Sequence, residues 1–540
     1  MVLDRAGLAD REAWTKKGYE LPEYDLDVMI KQTKEEPFWI HFGAGNIFRA
    51  FQANVVQKLL NKGVLNRGLI VTEGYDYEII QKMYAPHDNL SVLVTLKADG
   101  QIQKTVIGSI AESLCLDRES KEEFDRLREI FRADSLQMAT FTITEKGYSL
   151  IDGKGEILDQ IKSDFAKGPQ HAVSYIGKVA SLLFERYSAG KKPIAMVSMD
   201  NCSHNGEKLY QAIFGFAKAW VENGQVEKEF LDYVNDPSMV SFPFTMIDKI
   251  TPRPDDSVCK RLQQDQVEAL LPIVTSKNTY VAPFVNAEEC EYLVIEDLFP
   301  NGRPKLEAGG LMLTDRETVE RVERMKVCTC LNPLHTALAV FGCLLGYDLI
   351  SKEMKDPALK ALVEKIGYDE GLLVVTDPKI IEPRRFIDEV LQTRIPNPFM
   401  PDTPQRIATD TSQKLAIRFG ETIKAYQLSD HLKVSDLKFI PLVFAAWLRY
   451  LMAVDDQGNS FTLSPDPMLL VVCPYLADVR LGEDFSVHET VKPILENEEI
   501  FAVDLFKVGM GEKVEHLFYE MTRETGAVRK VLERELCISH

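Results

Sequence analysis

A lysine, an amide and an imidazole stand close together between residues 326 and 335, and each could take part in chemistry. Lys326 follows Glu323 by three residues, and His335 follows Asn332 by three residues. On a helix, this spacing places both members of a pair on one face. A buried lysine can exchange a proton near neutral pH, and a neighbouring amide can donate a hydrogen bond to an oxygen that gains charge. The combination suits the interconversion of a secondary alcohol and a ketone.

The same spacing also fits an amphipathic helix whose solvated Glu–Lys pair has no chemical role. Such pairs are common on helix surfaces and contribute little to stability. The motif is therefore informative only together with a site that binds a redox cofactor.

An early stretch of the chain predicts the element that would bind such a cofactor. An apolar run at residues 38–42 ends at Gly43 and Gly45, and a helical pattern and a second apolar run at 68–72 follow. Strand, glycine turn, helix and strand form the opening of a dinucleotide-binding βαβ unit. The glycines allow a tight turn and leave backbone N–H groups at the helix start for a pyrophosphate. Phe48 stands where a third glycine is usual, so this motif alone is a weak signal.

Two acidic residues follow the second predicted strand, at the place where a ribose would lie. A carboxylate from Glu73 or Asp76 would bond the ribose hydroxyls and repel a 2′-phosphate. The pattern therefore favours NAD over NADP. A loop carboxylate in water is the alternative that this observation leaves open.

The order of apolar runs and helical patterns predicts the domain organisation. Further strand-like runs cover residues 91–96, 104–110, 138–143 and 193–198, and helical patterns such as 122–131 and 171–187 separate several of them. Long helical patterns dominate beyond Thr314. We expect an α/β protein with three parts: an N-terminal extension at 1–36, a Rossmann-type dinucleotide-binding domain at 37–309 and a mainly α-helical substrate and catalytic domain at 310–540.

Composition excludes several classes of partner. The 540 residues carry a formal net charge of −19, which argues against nucleic acid or an anionic membrane as the main partner. The nine cysteines show neither a disulfide framework nor a zinc spacing, and Cys328 and Cys330 fit an apolar helix. The N-terminus lacks a signal-peptide pattern, and no uninterrupted apolar run approaches the length of a membrane span. We expect a cytoplasmic protein that binds a small molecule and no metal.

Several motifs, in order, make the chain resemble the polyol-specific long-chain dehydrogenase/reductase family. The glycine turn lies in residues 41–50 and the lysine motif in 323–335. The other matching segments are 142–148, 199–206, 246–252, 295–304 and 406–414. The resemblance covers roughly residues 37–450 and implies a metal-free, NAD-dependent enzyme of two domains.

The resemblance also implies roles for individual residues. Lys326 would be the general acid/base, and Glu323 would handle its proton. The implied amide pair for the developing alkoxide is Asn201 and Asn332. The implied substrate-binding residues are Asp248, His335, Arg406 and Lys414, and the implied cofactor-binding residues, besides those named above, are Asn46, Ile47, Phe48, Arg49, Thr144 and Glu145. The active site would lie between the two domains.

Each of these side chains also has an ordinary structural interpretation. Asn201 fits a turn, Asp248 fits a helix cap before Pro252, and His335 fits a core histidine with a backbone partner. Arg406 and Lys414 fit surface charge. These alternatives stay open at the level of sequence.

The chain departs from the family between the lysine and the asparagine. Five residues, 327–331, separate them, whereas four are usual in the family. A helical bulge would absorb the additional residue, and such bulges occur frequently at functional sites. Arg324 is the nearest alternative base on sequence alone.

The expected reaction is the NAD-dependent interconversion of D-fructuronate and D-mannonate, a keto-hexuronate and a hexonate. The carboxylate of such a substrate needs a basic partner, for which Arg253, Arg406 and Lys414 are candidates. Reduction of tagaturonate and oxidation of mannitol at carbon 2 are the close alternatives. A non-enzymatic alternative is an NAD-binding sensor or scaffold whose site the additional residue has disabled. The sequence leaves open whether the protein is a monomer or a dimer.

Overall fold

The computed structural model describes residues 1–254 and 256–538. It divides into two compact units, of which the first comprises Met1–Lys97 and Gln101–Val319 and the second comprises Ala98–Gly100 and Glu320–His540. The strands are β1 (Tyr19–Glu20), β2 (Trp39–Phe42), β3 (Leu69–Glu73), β4 (Ser91–Leu96), β5 (Ile102–Ile107), β6 (Ile110–Cys115), β7 (Met138–Phe141), β8 (Ile194–Ser198), β9 (Val240–Ser241), β10 (Thr245–Asp248), β11 (Ile273–Val274), β12 (Tyr280–Val281), β13 (Phe284–Glu288), β14 (Tyr292–Glu296) and β15 (Met312–Thr314).

The helices of the first unit are α1 (Arg11–Lys16), α2 (Leu26–Glu35), α3 (Ala53–Asn61), α4 (Lys121–Arg132), α5 (Asp159–Lys167), α6 (Tyr175–Ser188), α7 (Asn205–Glu222), α8 (Lys228–Asn235) and α9 (Asp256–Gln264). Helix α10 (Arg316–Met325) begins in the first unit and continues into the second. The second unit continues with α11 (Asn332–Leu345), α12 (Ile350–Glu353), α13 (Pro357–Glu364), α14 (Pro383–Glu389), α15 (Pro404–Ile407), α16 (Glu421–Gln427), α17 (Phe439–Leu451), α18 (Leu469–Leu476), α19 (Val487–Leu495), α20 (Glu498–Phe501), α21 (Gly511–Thr522) and α22 (Ala527–Glu535). Helices with π geometry cover Phe48–Gln52, Ile80–Tyr84, Lys326–Cys330, Lys365–Gly371, Val390–Arg394 and Ala416–Gly420.

A six-stranded parallel sheet forms the centre of the first unit. Its strand order is β6-β3-β2-β7-β8-β9, which is the order of a Rossmann sheet with the reversal at β2. Successive residues of these strands face opposite sides, so Leu69 and Val71 pack in one apolar cluster and Ile70 packs in the other. The predicted α/β class with a dinucleotide-binding sheet is confirmed. The ligand site of such a sheet lies at the carboxyl ends of the strands, beside β2.

The N-terminal extension is part of the first unit. Tyr19 and Glu20 form β1, which pairs in parallel with β5 in a second, four-stranded sheet of order β1-β5-β4-β13. Trp14 is fully buried, and its ring meets that of Tyr19 edge-on at 5.0 Å. The run at residues 91–96 is a strand as expected, but it belongs to this second sheet and lies antiparallel to β5.

The second unit is helical, as predicted. Helix α17 lies in its core, because every residue from Phe439 to Leu451 is buried. One continuous helical stretch, Arg316–Leu345, is long and apolar enough to cross a membrane by length and composition alone. Since 83% of its most apolar window is buried inside the structure, it has the character of a core helix. The cytoplasmic location stays a prediction.

Candidate active site

The glycine turn after β2 has the geometry that a dinucleotide needs. Gly43 adopts a φ of 111°, and a Cβ atom there would lie 2.3 Å from the carbonyl oxygen of Thr142. Any larger residue would therefore be strained and would clash with the neighbouring strand end. A Cβ atom on Gly45 would have no atom within 4 Å, so the space above the turn is open. The turn thus combines a tight bend with room for a pyrophosphate next to a helix start.

The carboxylate of Glu73 holds this turn in place. Its Oε2 accepts a hydrogen bond from the backbone N–H of Ala44 at 2.9 Å, and its Oε1 accepts from Tyr75 at 2.8 Å and Asp76 at 3.2 Å. Only 6% of Glu73 is exposed. Asp76 is also buried, and its carboxylate accepts from the Thr275 hydroxyl at 2.6 Å. Both acids lie at the end of β3 as expected, and their contact with a ribose stays a prediction.

The residues after the glycines pack the turn against the sheet. Arg49 is buried, and its guanidinium donates to Asn46 Oδ1 at 2.9 Å and to the carbonyl of Ala282 at 2.7 Å. Phe48, which replaces the third glycine, stacks on the His41 ring at 4.4 Å. Burial lowers the pKa of His41 to about 3, so this ring is neutral. Ile47 directly precedes the π turn that Phe48 begins. The ring of Phe48 therefore provides close packing where other dinucleotide turns use a glycine.

Thr144 and Glu145 follow β7, next to a carboxylate that the motif analysis did not single out. Thr144 has a φ of 65°, and Asp200 accepts the backbone N–H groups of Ile143 and Thr144 at 3.0 and 2.9 Å. Asp200 also accepts from the Tyr148 hydroxyl at 2.6 Å, and burial raises its pKa. Glu145 is exposed and pairs with a surface lysine, Lys208. Asp200 is therefore the anchor of the loop that follows β7, and its place directly before Asn201 was the signal for it.

The loop of Asn201 is tied to the strand of Asp248 in the first unit. Asn205 is buried, and its side-chain amide donates to the carbonyl and the hydroxyl of Thr245 at 3.0 and 2.9 Å, while Thr245 N–H returns a bond at 3.1 Å. Thr245 begins β10, and Asp248 ends it with 6% exposure. Asn201 itself is exposed. The hydrogen bonds of Asn205 thus connect the loop that carries Asn201 with the strand that ends at Asp248.

Lys326 begins a π-helical turn in the second unit. The backbone N–H of Leu331 donates to the carbonyl of Lys326 at 3.1 Å, five residues earlier, and α11 begins at the next residue, Asn332. The turn accommodates one additional residue within the helix, as the longer interval led us to expect. Lys326 is only 5% exposed. The side chain of Lys326 is thus buried next to the start of α11.

Arg324, the alternative base, is placed differently from Lys326. Its guanidinium lies 2.5 Å from the carboxylate of Glu421, and 54% of its side chain is exposed. Glu323 is half-buried on the preceding turn. Only Lys326 among the basic residues of this helix is buried.

The predicted core character of Cys328 and Cys330 agrees with their burial, which raises the thiol pKa values to about 11 and about 12.

His335 lies one turn into α11 and is neutral. Its Nε2 atom is 3.4 Å from Asp402 Oδ2, and its side chain is 18% exposed. Burial lowers its pKa to about 3, and the surrounding cations add to this effect in the order Arg418, Arg394, Arg406 and Lys414. Burial and these cations outweigh the single nearby carboxylate, so the ring is uncharged at neutral pH.

Arg406 and Lys414 already have partners within the second unit. Arg406 donates to the carboxylate of Asp402, and 59% of its side chain is exposed. Lys414 donates to the backbone carbonyls of Ile407 and Thr409. Burial, followed by the charge of Arg418, lowers the pKa of Lys414. Both residues act electrostatically on His335, and Arg406 is paired with a carboxylate of the protein. Their role in substrate binding stays a prediction.

Arg418 is a further basic residue of this group, which the motif analysis missed. It lies in the π turn Ala416–Gly420, and its Nη1 donates to the Thr336 hydroxyl at 2.5 Å and lies 3.5 Å from the carbonyl of Asn332. Burial lowers its pKa to about 10, so it remains charged. The signal in the sequence was its position four residues after Lys414, one helical turn beyond the recognised segment.

Both halves of the chain match known domains. Residues 38–308 match the Mannitol dehydrogenase Rossmann domain, and residues 318–521 match the Mannitol dehydrogenase C-terminal domain. The chain belongs to the mannitol dehydrogenase family. This family is the one that the order of motifs indicated.

Individual mannitol dehydrogenase relatives extend the comparison. The chain is 53% identical to the D-mannonate oxidoreductase of Thermotoga maritima, over 99% of this chain and 98% of that protein. The solved ternary complex of Pseudomonas fluorescens mannitol 2-dehydrogenase with NAD and D-mannitol matches with a TM-score of 0.68 and 25% identity, over 100% of both chains. A substrate-free D-sorbitol dehydrogenase matches over 100% of both chains with a TM-score of 0.79 and 22% identity, which supports the fold alone.

The family residues fall into two sets, one in each compact unit. The first unit holds the glycine turn, the acids after β3, Asn201 and Asp248. The second holds Lys326, Asn332, His335 and the basic group around them. Hydrogen bonds connect Glu73 with the glycine turn in the first unit and Arg418 with Asn332 and Thr336 in the second. That the two sets share one substrate stays a prediction.

Proposed function

We propose that this protein is an NAD-dependent oxidoreductase that interconverts D-fructuronate and D-mannonate. The observation that carries the proposal is the 53% identity to a D-mannonate oxidoreductase over nearly the full length of both chains. A buried Lys326 next to the start of α11 supplies the chemistry that this reaction requires.

The proton transfer is assigned to Lys326. In the direction of reduction, the ammonium group gives a proton to the ketone oxygen of the substrate, and in oxidation the neutral amine removes the hydroxyl proton. Glu323, three residues earlier on the helix, exchanges that proton with solvent. A bound NADH would supply a hydride to the carbonyl carbon, and ketone, hydride and proton together would give the alcohol.

The amide groups stabilise the charge that develops on the substrate oxygen. Asn332, at the first position of α11, donates to this oxygen as it becomes an alkoxide, and Asn201 is the proposed second donor. Neutral His335 and Asp248 bind the other hydroxyl groups of the sugar chain. A neutral imidazole both donates and accepts one hydrogen bond, which suits a hydroxyl group.

The first unit fits NAD by its own geometry. The open space above Gly45 and the backbone N–H groups at the start of the following helix suit a pyrophosphate. Glu73 and Asp76 place two carboxylates at the end of β3, where a 2′-phosphate would be repelled. Asn46, Arg49, Thr144 and Glu145 complete the proposed cofactor-binding set.

Steady-state kinetics with a panel of ketoses would test the proposal. The purified protein is assayed with D-fructuronate, D-tagaturonate and D-fructose, each with NADH and with NADPH. We expect the highest kcat/KM with D-fructuronate and NADH. Preference for D-tagaturonate or D-fructose would favour one of the two close alternatives, and NADH binding without turnover of any substrate would favour a sensor.

A further inference from the structure

Arg418 is a half-buried cation without a carboxylate partner among the described residues. Its two hydrogen-bonding contacts, the Thr336 hydroxyl and the Asn332 carbonyl, are both neutral. Burial is the cause that lowers its pKa to about 10, and no acid of residues 1–254 or 256–538 offsets that effect. A buried charge is costly unless an opposite charge compensates it. The position therefore favours a bound anion.

The neighbouring cations differ from Arg418 in this respect. Arg406 is paired with Asp402 and is more than half exposed, so a ligand would have to displace an existing partner. Lys414 has two backbone carbonyl partners, and Asp410 and Asp466 act on its charge. Arg418 thus gains more from an additional anion than Arg406 or Lys414 does.

The place of Arg418 fits the length of a hexonate. Asn332 and Thr336 are one helical turn apart on α11, a separation of about 5–6 Å between their side-chain positions. In D-mannonate, the carboxyl carbon stands four bonds from the carbon with the reacting hydroxyl, which is about 5 Å in an extended chain. A substrate whose reacting hydroxyl binds Asn332 can therefore extend its carboxylate along this helical turn toward the Arg418 guanidinium, which donates to Thr336.

We propose that Arg418 binds the substrate carboxylate and thereby selects hexuronates over neutral ketoses, an inference that rests on the proposed function. A guanidinium offers two parallel N–H groups to a carboxylate, a geometry that a single hydroxyl cannot match. A ketose with a hydroxymethyl group in that place leaves the cation uncompensated. The residue therefore both attracts the correct substrate and disfavours the neutral one.

Arg418→Gln tests this role because it keeps hydrogen-bonding groups and removes the charge. We expect kcat/KM for D-fructuronate to fall by at least about 30-fold, mainly through KM. Activity with D-fructose should stay the same or rise. The affinity for D-mannonate in the presence of NAD, measured by calorimetry, should fall by a similar factor. Arg418→Lys keeps the charge and should recover part of both losses.

Two controls separate recognition from folding. Lys424→Gln removes one positive charge from α16, where Lys424 pairs with Glu421 at 3.2 Å. It should leave the ratio of kcat/KM for D-fructuronate to kcat/KM for D-fructose unchanged. Thr336→Val removes the hydroxyl to which Arg418 donates, while it keeps the guanidinium and its contact with the Asn332 carbonyl. It should lower kcat/KM for D-fructuronate and for D-fructose by a similar factor, smaller than the one expected for Arg418→Gln. The melting temperature and the affinity for NADH show that each variant is folded.

The outcomes distinguish this inference from the proposed function. Equal losses with D-fructuronate and D-fructose in Arg418→Gln would mean that the residue only supports α11, and the inference would be overturned. Unchanged affinity for D-mannonate would overturn it as well. If the wild-type protein reduces no hexuronate, the proposed function fails first, and the inference fails with it.

Discussion

Leu331 donates its backbone N–H to the carbonyl oxygen of Lys326 at 3.1 Å and so closes a π turn directly before Asn332. The turn carries the interval between Lys326 and Asn332, and Leu331, with a φ of −129°, separates it from α11. The turn also places Asn332 at the first position of α11, where its own side chain is half-buried.

Asn332→Ala should lower kcat for D-fructuronate by roughly 10²–10³-fold, because it removes a donor to the developing alkoxide. KM should change little, since the donor matters most when charge has formed on the substrate oxygen. Steady-state kinetics and NADH titration would measure both quantities. A rise in KM with unchanged kcat would show instead that Asn332 only binds the ground state.

Glu73→Gln should narrow the preference for NADH over NADPH. The substitution keeps the shape of the side chain and removes the negative charge that disfavours a 2′-phosphate. Because Glu73 also holds the backbone of Ala44, Tyr75 and Asp76, affinity for NADH should fall as well. The measurement is the ratio of kcat/KM with NADH to kcat/KM with NADPH, in the variant and in the wild type.

Asp76→Asn is the matched control for Glu73, since its carboxylate accepts from Thr275 within the same region. If the ratio of kcat/KM with NADH to that with NADPH changes less in Asp76→Asn than in Glu73→Gln, Glu73 is the residue that selects NADH over NADPH. A wild-type protein that works equally well with NADPH would contradict the placement of both acids.

His335 should make the protein less stable at acidic pH. Its folded-state pKa of about 3 lies below the ordinary value of 6.5, so the unfolded chain binds the proton more readily than the folded protein. The free energy of unfolding should therefore decrease as pH falls from about 6.5 toward 3, by up to about 1.4 kcal/mol per pH unit. Urea unfolding of the wild type and of His335→Gln would measure the difference.

The free energy of unfolding of His335→Gln should decrease less steeply than that of the wild type as pH falls from 6.5 to 4. His488→Gln is the control, because His488 is 54% exposed and bound to Glu515. A parallel pH dependence in the wild type and His335→Gln would show that His335 does not remain neutral in the folded protein. The pH profile of kcat between 6 and 9 should also lack an inflection from His335.

The parts of the site that lie in short, regular patterns were predictable from the sequence. Gly43 and Gly45 follow an apolar run, and Lys326 and Asn332 lie in a helical motif, so local spacing made them candidates and the family resemblance gave them their expected roles. The fold class followed for the same reason, since alternating strands and helices repeat over the first half of the chain.

Contacts between distant residues were not predictable in this way. The N-terminal extension pairs Tyr19 with Lys104, and no local pattern marks such a pairing across 85 residues. Arg418 lies one helical turn beyond a recognised segment, but only its partial burial without a carboxylate partner among the described residues distinguishes it from other arginines. Burial of a charge depends on packing of the complete unit, which a single sequence does not reveal.

The reduction of D-fructuronate by Lys326→Met tests the central claim most directly, because methionine keeps the bulk of the side chain and removes the ionisable group. We expect kcat with NADH to fall by about 10²–10⁴-fold. Affinity for NADH should be nearly unchanged, since the glycine turn belongs to the first unit and Lys326 to the second. A loss of less than tenfold, with the cofactor still bound, would contradict the assignment of Lys326 as the general acid/base.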